Sequence, residues 1–100
     1  MFLKLYYQAA DAISNASSIV VSGYSFGDKG INNLLIEWLE SDFTRRLLVI
    51  DPAFDKLQHI VPLPILQRWQ SWLDQKRLIP LQASFKNVEW EEIRTKLLDN

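Results

Sequence analysis

The sequence predicts an α/β fold, a three-stranded parallel sheet with helices on both faces. Two observations lead there. Three short aliphatic runs, Ile19-Val20-Val21, Leu47-Leu48-Val49-Ile50 and Leu78-Ile79, are separated by stretches whose apolar residues recur at helical spacing. The runs are unbroken rather than alternating, as in strands covered on both faces. Strands alternating with helices imply parallel pairing and right-handed crossovers.

Taken in order, Leu3, Tyr6, Ala9-Ala10 and Ile13 mark an amphipathic helix over Leu3 to Ala16, ended by Ser14, Asn15, Ser17 and Ser18. The first strand, Ile19 to Ser22, runs into the turn Gly23-Tyr24-Ser25-Phe26-Gly27-Asp28. A helix follows from about Lys29 to Glu40, with Ile31, Leu34-Leu35 and Trp38-Leu39 on one face. The second strand, Leu47 to Ile50, stops at Asp51-Pro52. Phe54 to Pro64 carries no clear period and reads as irregular. Leu63 to Gln75 reads as a helix, with Pro64 in the first turn, where its missing N–H costs nothing. Pro80 cannot donate to a ladder, so the third strand, Leu78 to Leu81, belongs at an edge. Asn87 is the expected cap of a last helix, Val88 to Leu98, whose first turn holds Glu89, Glu91 and Glu92.

One hundred residues make one domain, 1–100. A chain this short buries only roughly 60–65% of its unfolded surface, so few core positions can be spared. The formal charge is −1 and the basic residues are scattered, which excludes the electrostatic footprint of a nucleic-acid binder. No apolar run reaches the ~20 residues that span a bilayer, and the N-terminus lacks a signal-peptide pattern. Without cysteine there is no disulfide, thiolate nucleophile or zinc-thiolate site, and the cytoplasm is the expected compartment. Trp69 and Trp72 share a helix face and read as core packing. Glu37, Glu40, Glu91 and Glu92 read as solvated surface, and His59 as a loop histidine.

The chemistry concentrates at the carboxyl ends of the strands, where open parallel sheets bind ligands. Glycine lets backbone approach a phosphate, backbone N–H groups at a helix start attract anions, and Ser25 adds a hydroxyl. Asp51, at the end of the next strand, suits a ribose hydroxyl. The same residues also read as plain architecture. Gly23 and Gly27 then only shape the turn, Asp28 caps the helix, and Asp51-Pro52 is a turn after a strand. The stretch is neither GxGxxG nor a P-loop.

The stretch Ile19-Val20-Val21-Ser22-Gly23-Tyr24-Ser25-Phe26-Gly27-Asp28, followed by Ile31-Asn32 and Leu47-Leu48-Val49-Ile50-Asp51-Pro52, resembles the C-terminal half of sirtuin-like NAD-binding domains. In that family a strand ends in Gly-Thr-Ser or, in bacterial members, Gly-Tyr-Ser, then Asp and Ile-Asn. The resemblance covers about 40 residues. It implies half of a Rossmann-like domain in which Gly23, Tyr24, Ser25, Asp28 and Asp51 line an NAD site. The family's Gly-Ala-Gly loop, Asn-x-Asp segment, catalytic histidine and zinc cysteines have no counterpart here, and His59 does not match the catalytic position. The expectation is therefore a half-domain, noncatalytic alone, that binds NAD weakly and is completed by a second copy or by a partner bearing the missing half. A protein-interaction module without ligand is the alternative. If the space at the turn is filled by Tyr24 or Phe26, the interaction reading gains.

Overall fold

A computed structural model describes residues 16–98. The expected helix over Leu3 to Ala16 lies outside them, apart from Ala16 itself. Strand β1 (Ser18–Ser22) is followed by helix α1 (Lys29–Ser41), β2 (Arg46–Ile50), the short α2 (Phe54–Leu57), α3 (Leu63–Asp74), β3 (Leu78–Leu81), a 3-10 turn (Phe85–Asn87) and α4 (Trp90–Leu98). The strands lie in the order β1-β2-β3, both pairings parallel, with Val20 opposite Leu48 and Leu48 opposite Ile79. This is the expected α/β architecture, consistent with half of a Rossmann-like domain.

The side-chain alternation of β2 divides the interior in two. Leu47 and Val49 face α1 and α3 and pack with Leu35, Trp38, Leu39, Ile65, Trp69 and Trp72. Leu48 and Ile50 face the other way, toward α4, and pack with Leu81 and Ile93. Both crossover helices therefore cover one face, while among the described residues α4 alone covers the other. Trp69 and Trp72 are core residues, as their spacing implied.

Two local readings are corrected. Phe54 to Pro64 is not wholly irregular, because Phe54 and Leu57 are buried by one short helix. Asn87 does not cap α4: it closes the 3-10 turn by donating its N–H to Ser84, and the helix begins at Trp90.

Helix α3 ends with Lys76 in the left-handed region (φ +59°), its N–H donating to Leu73 and that of Arg77 to Trp72. These two bonds define a Schellman ending, in which glycine is the usual occupant. The carboxyl ends of the helices gather at the amino end of the sheet, and cations meet them there. Arg45 donates to the Trp38 carbonyl at 3.0 Å, Arg46 to Leu97 at 3.3 Å, and Arg77 to Asp42 at 3.1 Å. Guanidinium groups at these carbonyls complement the negative ends of the helix dipoles.

Candidate functional site

The register sets Ser22 beside Ile50, so Gly23 and Asp51 leave the sheet side by side at its carboxyl end. Gly23 has φ +65° and donates its N–H to the Ile50 carbonyl at 3.3 Å. No other atom lies within 4 Å of a Cβ built on it, so conformation rather than crowding calls for glycine here. Ser25, two residues further on, is exposed. The predicted gathering of Gly23, Ser25 and Asp51 at one end thus follows from the parallel topology.

The chemistry available to these residues is narrower than their position suggests. Asp51 accepts the Ala53 N–H on Oδ1 at 2.8 Å, and its carbonyl accepts the Phe54 N–H at 3.2 Å. It builds the turn into α2. Asp28 accepts the Ile31 N–H at 2.9 Å and is the N-cap of α1. Its carboxylate already sits at the positive end of the helix dipole, which weakens the appeal of that end to a phosphate.

The hydroxyl of Tyr24 donates to Asn32 Oδ1 at 2.6 Å, with the Asp28 carbonyl also at 3.1 Å. Burial is the main cause that pushes the Tyr24 phenol above its ordinary pKa; the Asp28 carboxylate pushes the same way, and the backbone bond opposes them.

Phe26 holds the turn together. It is 1% exposed, and its ring meets Trp69 edge-on at 5.7 Å and Tyr24 at 4.8 Å. It does this from φ +63°, a region that bulky side chains avoid. The left-handed backbone costs about 1–2 kcal/mol. Burying the ring returns about 2–3 kcal/mol, and the aromatic contacts add to that. Burial therefore wins. Asn32, itself buried, fixes the result by donating Nδ2 to the Phe26 carbonyl at 2.8 Å. The sequence left a trace of this role, because Asn32 is a polar residue beside the apolar stripe of α1.

Phe26 thus packs into the core on the α1 and α3 side of the sheet, with Tyr24 partly buried against it. A cavity of about 310 Å³ does open beside the turn, but its walls include Phe26, Gly27, Lys29, Ile60, Pro62 and Pro64 rather than Gly23, Ser25 or Asp51. Among the described residues no cluster of histidines and carboxylates is able to hold a metal ion. None of the helices described is long and apolar enough to cross a membrane. His59 is exposed. The class defined by this fold is a small parallel α/β half-sheet whose first strand-to-helix turn is packed by its own aromatic side chains. No family model, curated protein or solved structure matches the chain.

Proposed function

We propose that this chain is a cytoplasmic, noncatalytic half-domain that works by association, completing its sheet through β1 with a second copy of itself. The supporting observation is the state of β1. Gly23 donates to Ile50, so in the parallel ladder the odd residues of β1 bond toward β2 and Val20 turns its N–H and carbonyl outward. Val20 is also 36% exposed, with Ser18 and Ser22 exposed on the same face. Among the described residues nothing pairs with this edge, and an open aliphatic edge is a template for another strand. A two-fold axis would set the two copies of β1 antiparallel. Tyr24 and Phe26 pack the turn while Asp51 and Asp28 accept backbone N–H groups within it, and this architectural use favours the interaction reading over the nucleotide one.

Sedimentation equilibrium at about 50 μM, a range in which modest interfaces associate, tests this. The expected result is a dimer that falls to monomer in Val20→Pro. A clean monomer in the unaltered chain would overturn the self-pairing.

A second reading keeps the relation to sirtuin-like domains: weak binding of the adenosine part of NAD. It is supported by Gly23 in the left-handed region next to Asp51 at the carboxyl end of the sheet. Titration with NAD or adenosine diphosphate ribose to about 1 mM should then show binding that Ser25→Ala or Asp51→Ala reduces. Silence at that concentration would remove the reading. In either case the isolated chain is expected to show no NAD hydrolysis or deacylation.

A further inference from the structure

We propose that the cavity beside the amino end of α1 binds a small apolar carboxylate. The cavity measures about 310 Å³. Known small-molecule pockets begin at roughly that size, so the fit is for a ligand of about ten heavy atoms rather than a dinucleotide. Its apolar walls are Phe26, Ile60, Pro62 and Pro64, and its polar side carries Lys29 and Asn33.

Part of the wall is held in place before any ligand arrives. Pro62 and Pro64 have a fixed φ. Phe26 is pinned by Trp69 on its ring and by Asn32 on its carbonyl. Asn32 also lines the cavity, and its Oδ1 already accepts the Tyr24 hydroxyl. Walls that are already fixed lose little affinity to ordering. It also lies among the turns that leave the carboxyl side of the sheet, where parallel α/β folds bind ligands.

The lining selects the ligand's charge. Among the described residues, Lys29 is its one cation and no carboxylate lines it. Asp28, the acid next in sequence, keeps its charge while capping α1 but does not line the cavity, so the ligand's carboxylate pairs with the Lys29 side chain and not with the helix end. An apolar body against Ile60 and the two prolines, with its carboxylate at Lys29 and Asn33, satisfies both sides. A neutral molecule of the same shape gains only the first.

The test titrates the full chain, labelled with nitrogen-15, with 3-phenylpropionate and separately with 3-phenylpropan-1-ol, and reads amide shifts. Saturable shifts are expected at Gly27, Asn33 and Ile60, with a Kd for the acid on the order of 1 mM. Lys29→Gln should weaken the acid about threefold, the effect of one exposed charge pair, and leave the alcohol unchanged. Ile60→Ser should weaken both. Ile60 is largely exposed, so neither substitution threatens the fold. No saturable shift at about 10 mM, equal weakening of acid and alcohol by Lys29→Gln, or shifts confined to other surfaces would each overturn the proposal. Because β1 takes no part in this cavity, the result is independent of whether the chain self-associates.

Discussion

The two outer strands, β1 and β3, pair with the same central strand in the same sense, yet their edges differ. The N–H groups of Leu47 and Asp51 donate to Arg77 and Leu81, so odd residues of β3 bond inward and Pro80 turns its nitrogen outward. The edge of β3 is therefore blunted where a new strand would pair. On β1 the equivalent outward position is Val20, with its donor intact. The faces differ too. Leu78 packs beneath α1 and α3, and Leu81 beneath α4, so both are buried. Ser18, Val20 and Ser22 lie on the α4 side of β1, and among the described residues nothing buries them. An aliphatic composition permits burial on both faces, but a covering element has to provide it.

The largest expected effect contrasts inward and outward donors. Ile79→Pro removes a donor aimed at β2 and should cost about 3 kcal/mol in chemical denaturation. Val20→Pro removes an outward donor and should cost about 1 kcal/mol or less in the monomer, while abolishing association. Equal losses would break the comparison. Next in size is the reverse change. Pro80→Val restores a donor to the outer edge of β3 and should raise the associated mass at about 50 μM. An unchanged sedimentation profile would mean that proline is not what guards this edge.

The smallest effect lies in the turn that leaves β1. Folding raises the Tyr24 pKa, chiefly through burial. The native state therefore favours the neutral phenol. Its contribution is fully present below the unfolded value near 10 and is lost as pH climbs through the higher folded value. Denaturation midpoints measured from pH 8 upward (in steps of about half a unit) should fall at the alkaline end. The fall should be shallower in Tyr24→Phe. A profile identical in the variant would show that the bond to Asn32 does not couple to titration.

Much of the fold was legible because it rests on local pattern. The runs at Ile19, Leu47 and Leu78, the stripe of α1 and the position of Pro64 each name an element by short-range sterics and burial. Pro80 announced its edge because a missing N–H has the same consequence in any sheet. Asn87 misled because the preference of asparagine for helix caps also suits tight turns, and the chain makes a 3-10 turn at Asn87 before the helix starts at Trp90. The segment after β2 hid a four-residue helix because one turn is too short to display a period.

The candidate site divides along the same line. By itself the sequence determined that Gly23, Ser25 and Asp51 follow strand ends, and parallel topology then brings them to one side of the sheet. Only the tertiary structure decided how the turn there is packed. Phe26 accepts a left-handed backbone to reach Trp69, 43 positions away in the chain, and Asn32 locks the arrangement. Local propensity favours the left-handed conformation at Gly27, and the burial of one aromatic ring, worth more than the strain, moves it to Phe26. That balance depends on contacts between residues far apart in sequence, and such contacts exist only once the chain has folded.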